Sequence, residues 1–127
     1  MIVLDTSAAL AILAGRPGAV RVLRGRLPCV PHLADAEVAH ALRGLARADK
    51  LSPDAAAALL RRWQAWTLGR YPITGLLPRV WELRHNLTAY DASFVALAEA
   101  LDVPVLTGDR RLATAPGVRC PIEVMPA

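Results

Sequence analysis

The sequence predicts an α/β fold, a helix–sheet–helix sandwich on a short, mostly parallel central sheet. Three observations carry that expectation. Met1-Ile2-Val3-Leu4 and Val103-Pro104-Val105-Leu106 are continuous apolar runs, as central parallel strands covered on both faces require. Ala- and Leu-rich helical patterns fill most of the chain between them, which suits right-handed crossovers onto the two faces of one sheet. Both runs lead into an acid, Asp5 directly and Asp109 after Thr107-Gly108. In such sheets ligands bind beyond the carboxyl ends of the strands.

Read in order, the chain gives a strand at 1–5, helices at 7–14 and 17–25, and a strand at 28–31. Helices follow at 33–48, 53–66, 75–84 and 89–101, then a strand at 103–106, a helical turn at 110–114 and a strand at 121–125. Gly15 stops the first helix, and Pro17 suits the first turn of the second. Ser52 before Pro53-Asp54 is an N-cap. Pro78 leaves the start of the 75–84 helix open by several residues. No repeat, linker or low-complexity tract interrupts the pattern, so a single domain over residues 1–127 is expected.

With 54% hydrophobic residues and a mean hydropathy of +0.33, a disordered chain is excluded. Aromatics make up only 5%, so Ala, Leu and Val must build the core. Cys29 and Cys120 form no metal-type pair and read as reduced core residues. The apolar stretch Ala8 to Ala14 follows an acid and has no basic leader, unlike a signal peptide. No uncharged apolar run reaches the ~20 residues of a membrane span. A soluble, cytoplasmic protein is expected. Fourteen arginines and Lys50 give a net charge of +4. Arginine forks match phosphate geometry, although a GC-rich genome would also enrich Arg and Ala.

Four acids stand out: Asp5, Glu37, Asp91 and Asp109. Three have a local explanation. Asp5 could cap the helix that follows it, and Asp109 the turn at Arg110. Thr88-Ala89-Tyr90-Asp91 fits a capping box, with Asp91 reaching back to the Thr88 amide. Glu37 has no such role, because it sits on the apolar stripe Ala34, Val38, Ala41, Leu42, Leu45. Asp35 and Asp49 read as ordinary solvated helix acids. Carboxylates gathered from distant segments repel one another, and a hard divalent cation held by oxygens offsets that cost. The pattern therefore points to Mg²⁺ or Mn²⁺ and to phosphate chemistry. The hydroxyls of Thr6, Ser7 and Thr107 are placed to orient a carboxylate or a water, and Arg110 and Arg111 to grip phosphates.

These residues, in this order, resemble the PIN-domain ribonucleases, and in particular the VapC toxins of bacterial toxin–antitoxin pairs of the mycobacterial type. The matching segments are Ile2-Val3-Leu4-Asp5-Thr6-Ser7-Ala8, Ala36-Glu37-Val38, Arg84 to Ala92 and Leu106-Thr107-Gly108-Asp109-Arg110-Arg111-Leu112. The resemblance implies a PIN fold and a metal-dependent endoribonuclease. Asp5 and Asp91 would be the principal Mg²⁺ or Mn²⁺ ligands, with Glu37 and Asp109 completing the set. It also implies a homodimer and a cognate VapB antitoxin lying over the active-site groove.

Other readings fit less well. A haloacid-dehalogenase-type phosphotransferase needs a second Asp where Ser7 stands, and a receiver domain needs a late Lys, whereas the one lysine is Lys50. A non-catalytic RNA- or partner-binding module on the same fold is opposed by the intact acid set. His40, three residues from Glu37, could assist it; His85 reads as a surface residue and His32 carries no signal. Trp63 and Trp66, beside Leu59 and Leu60, could pack the core or form a face for the antitoxin.

Overall fold

In a computed structural model, which describes residues 1–126, five strands form one sheet in the order β3-β2-β1-β4-β5. They are β1 (Ile2–Leu4), β2 (Pro28–Pro31), β3 (Gly69–Tyr71), β4 (Val105–Thr107) and β5 (Ile122–Val124). Every neighbouring pair is parallel, so the sheet is wholly rather than mostly parallel. From β1 the chain winds one way through β2 and β3, then returns to the other side of β1 for β4 and β5. The winding reverses between β1 and β4, where doubly wound sheets open a crevice at their carboxyl ends.

Among the described residues seven α-helices surround the sheet: α1 (Thr6–Leu13), α2 (Pro17–Leu23), α3 (Leu33–Arg47), α4 (Pro53–Ala65), α5 (Leu77–Glu82), α6 (Ala89–Leu101) and α7 (Arg110–Ala113). All residues of β1 and β4 are buried, as their unbroken apolar runs require. Helix α6 packs on β1, β2 and β4 with α5 beside it, while α1 packs on β1 and β4 and meets α3 and α4. Ala92 to Ala98 are seven consecutive buried residues. Small side chains let this helix lie close on the sheet, and Asp91 is held at its first turn.

The strand at 69–71 was not expected. Gly69-Arg70-Tyr71 has no apolar run, because an edge strand of three residues needs no buried pair of faces. Helix 75–84 is instead a 3₁₀ turn at Thr74–Leu76 followed by α5, with Pro78 in the first turn. Helix α2 ends two residues early: Arg24 turns extended (ψ 127°) and Gly25 takes φ 76°. Cys29 is buried and Cys120 half-buried; both are free, and burial pushes the Cys120 thiol up to about 11. No helix among the described residues is long and apolar enough to cross a membrane.

Candidate active site

The four acids come from four elements. Asp5 follows β1 and caps α1, accepting the Ala8 N–H at 2.9 Å. Asp109 caps α7, accepting the Arg111 N–H at 2.9 Å. The capping roles read from the sequence are therefore real, and they aim both carboxylates at the carboxyl end of the sheet. Only the Thr88 half of the capping box forms: Thr88 Oγ1 accepts the Asp91 N–H at 3.2 Å. The Asp91 side chain instead lines a cleft of about 300 Å³ with Asn86, Thr88, Asp109 and Arg111. Glu37 is half-buried at the edge of the α3 stripe, where Thr6 Oγ1 donates to its Oε1 at 3.1 Å.

Hydroxyls tie these segments together. Ser7 Oγ donates to Asp5 Oδ1 at 2.6 Å, and Thr107 Oγ1 donates to Asp5 Oδ2. The same two hydroxyl oxygens accept the N–H groups of Gly108 at 2.8 Å and Asp109 at 2.9 Å. Thr107 is fully buried, one of two buried polar residues among those described. Thr6, Ser7 and Thr107 thus all contact an acid of the set. The involvement of the Gly108 amide was not read from the sequence, where Gly108 is only a spacer between Thr107 and Asp109.

Electrostatics divide the set. Partial burial pushes the Asp91 carboxyl up, and the charges of Asp5 and Asp109 push it further. Although its surface is open, it stands in a cleft whose walls limit hydration. Burial also raises Glu37; the Thr6 hydroxyl opposes this, and Asp91 and Asp5 add to it. Asp109 is held below its ordinary value by Arg111, whose Nε and Nη2 each lie 3.2 Å from the carboxylate. These mutual influences make the four acids electrostatic neighbours. They are not a preassembled cage: among the described residues no three His, Cys, Asp or Glu side chains are grouped closely enough to hold a metal.

Arg111 is folded back on Asp109, yet its side chain is 92% exposed; Arg110 is exposed beside it. His40 is exposed and lowers Glu37 slightly, as the least of five influences. His85 and His32 are exposed. Asp35 is not merely solvated: it accepts from Trp63 Nε1 at 2.8 Å and from Arg70 Nε at 3.1 Å. Trp63 is buried, with Trp66 edge-on at 6.0 Å, so Trp63 is core. Trp66, half-buried, lines a second groove with Ile12, Leu13, Arg62 and Ala65.

A comparison with protein families matches residues 2–118 to the PIN domain. The chain belongs to the PIN-domain family. Within it, the chain sits among the VapC ribonucleases. It is 48% identical over 128 residues to ribonuclease VapC1 of Mycobacterium tuberculosis, covering 97% of this chain and 96% of that one. It is 46% identical over 126 residues to ribonuclease VapC9 of the same species, covering 99% of each. Among solved structures, PAE2754 from Pyrobaculum aerophilum superposes with a TM-score of 0.72 at 26% identity, over 97% of this chain and 83% of that one. VapBC2 from Rickettsia felis, solved on a promoter DNA fragment, gives 0.71 at 14% identity over 99% and 100%; at that identity the likeness is one of fold.

Proposed function

We propose that this PIN domain, acting as one unit over residues 1–127, is the toxin of a VapBC-type toxin–antitoxin pair and cleaves RNA as a metal-dependent endoribonuclease. The observation that supports the reading is that Asp5, Glu37, Asp91 and Asp109 come from four elements yet stand near enough for their charges to act on one another, in a chain nearly half identical, end to end, to named VapC ribonucleases. Mg²⁺ or Mn²⁺ fits the donor set, which is all carboxylate and hydroxyl oxygen. It also fits the electrostatics, because Asp91 and Glu37 are raised in part by neighbouring negative charge that a cation would relieve. Asp5 and Asp91 are the principal ligands in this reading, and Glu37 and Asp109 complete the set. When bound, such a cation supplies positive charge against the phosphate and makes nearby water more acidic.

The chain's own residues do the rest. The carboxylates orient a water for in-line attack on phosphorus; the bond to the 3′ oxygen breaks, leaving a 5′-phosphate and a 3′-hydroxyl. No histidine or serine nucleophile is required. Arg111, which lines the cleft, and the exposed Arg110 beside it would meet flanking phosphates. The cytoplasm is where such an enzyme meets its RNA.

A VapB-type antitoxin is the proposed partner, supported by solved relatives of this fold that are toxin–antitoxin complexes, VapBC2 of Rickettsia felis among them. An antitoxin Arg among the acids would substitute for the cation through charge-assisted forks. Its apolar residues would cover the groove at Ile12, Leu13 and Trp66. A homodimer is proposed for the toxin itself. The test uses purified protein free of antitoxin: RNA should be cut with Mg²⁺ or Mn²⁺ and spared in EDTA. Undiminished cleavage in excess chelator would refute the metal mechanism. Absence of cleavage with either ion would favour the binding-module reading.

A further inference from the structure

Asp5 is served by two hydroxyls in mirrored ways. Ser7 Oγ gives its proton to Oδ1 and receives the Gly108 N–H; Thr107 Oγ1 gives its proton to Oδ2 and receives the Asp109 N–H. A hydroxyl has one proton, and an ionised carboxylate only accepts. With an amide N–H aimed at each hydroxyl oxygen, both hydroxyl protons must point to Asp5. Polarity therefore runs one way, from the amides of the β4–α7 turn, through two side chains, to one carboxylate.

The count of lone pairs sharpens this. A carboxylate offers about four acceptor positions. Oδ1 already takes the Ser7 hydroxyl and the Ala8 N–H, while Oδ2 takes the Thr107 hydroxyl. One position on Oδ2 is left. Gly108 adds an independent observation, since its backbone does not need the left-handed conformation. A Cβ there would lie 3.2 Å from Ser7 Oγ and 3.0 Å from Met125 Cε. The Met125 end is flexible and can give way. Ser7 Oγ is pinned by two hydrogen bonds and cannot do so without loosening Asp5.

We propose that Ser7, Thr107 and Gly108 are positioning residues forming one clamp, which rests on the reading of Asp5 as a cation ligand. The clamp presents a single acceptor position on Asp5 Oδ2 and, through Thr107, fixes how far Asp5 stands from Asp109. Position 108 is glycine so that Ser7 can occupy its place.

The experiment measures Mn²⁺ binding to antitoxin-free protein by the electron paramagnetic resonance of free Mn²⁺, alongside melting temperature in EDTA. Gly108→Ala and Ser7→Ala should each weaken Mn²⁺ by roughly tenfold or more, the usual effect of losing a ligand's support. The double variant should bind no more weakly than Ser7→Ala, because the Oγ that the new methyl would strike is gone. Thr107→Val should weaken Mn²⁺ likewise, and Thr107→Ser should restore it. If Thr107→Val fails to fold, the Ser7–Gly108 cycle still decides. Additive losses in that cycle, or wild-type affinity in every variant, would overturn the clamp. Failure of the wild-type chain to bind Mn²⁺ at all is a different result: it removes the cation reading itself, and the clamp with it.

Discussion

Two acids on helix α3, two residues apart, have opposite fates. Asp35 is half exposed and satisfied: the Trp63 indole and the Arg70 guanidinium both donate to its Oδ1, and Arg70 also lies 5.5 Å above the Trp63 ring. This joins α3, α4 and the edge strand β3. Glu37 receives one neutral hydroxyl from Thr6, while Asp91 and Asp5 bring like charge towards it. One acid balances its surroundings, and the other adds to an imbalance. A carboxylate that has found a cationic partner supports the fold, whereas carboxylates gathered without such partners mark a candidate functional site. Asp109 lies between the extremes, since its partner Arg111 is on an exposed, mobile type of side chain with little to hold it.

The largest expected effect breaks the comparison at its charged end. Asp5→Asn or Asp91→Asn keeps the shape and removes a charge that a cation needs. RNA cleavage should fall by a hundredfold or more, on the order of 2.7 kcal/mol of transition-state stabilisation. The melting temperature of Asp91→Asn in EDTA should hold or rise, because like-charge repulsion is relieved; Asp5→Asn forgoes that gain, because its NH2 replaces an oxygen that accepts a hydroxyl proton. Near-normal cleavage by Asp5→Asn would mean the site is elsewhere.

The satisfied acid should behave in the reverse manner. Asp35→Ala leaves the Trp63 indole N–H without its partner and frees Arg70. We expect about 1–2 kcal/mol of stability to go, with the salt-bridge share small because the pair is partly exposed. Urea titration measures the loss, and cleavage per folded molecule should be unchanged. If activity fell as far as in Asp5→Asn with stability intact, Asp35 would belong to the site and the contrast would be void.

How much of this was legible follows from the same physics. The unbroken apolar runs at β1 and β4 announced central parallel strands, and the acids after them announced the crevice. Glu37 could be read because a charge on an apolar stripe violates helix patterning. Asp35 was misread as a solvated acid because its partners, Trp63 and Arg70, lie 28 and 35 residues away, and no local spacing reports a contact across three elements. β3 was missed because three residues on a sheet edge carry no pattern. The hydroxyls of Ser7 and Thr107 were legible as neighbours of acids, but not the amides behind them, since backbone donors leave no mark in a sequence.

The smallest effect, and the sharpest, lies in pH and stability. A carboxyl whose folded pKa is raised binds protons more readily in the folded state than in the unfolded one. Stability then falls as pH rises from the unfolded value, near 4 for these residues, through the raised folded value, and above that window the deficit stays. Glu37 and Asp91 belong to this class. Glu99 and Glu123, held down by Arg79 and Arg26, belong to the opposite one: their contribution is present above the unfolded value and is lost as pH falls through the lowered one. The two classes therefore act in different windows. In EDTA, Glu37→Gln should gain on the wild type as pH rises from about 4, by less than about 1 kcal/mol given the partial exposure of Glu37. Added Mg²⁺ should erase that advantage by stabilising the wild type, whose charge it can use. Denaturant melts at several pH values, with and without Mg²⁺, measure both parts. An advantage that neither grows with pH nor shrinks with Mg²⁺ would mean that Glu37, like Asp35, is a balanced acid, and the distinction between the two would collapse.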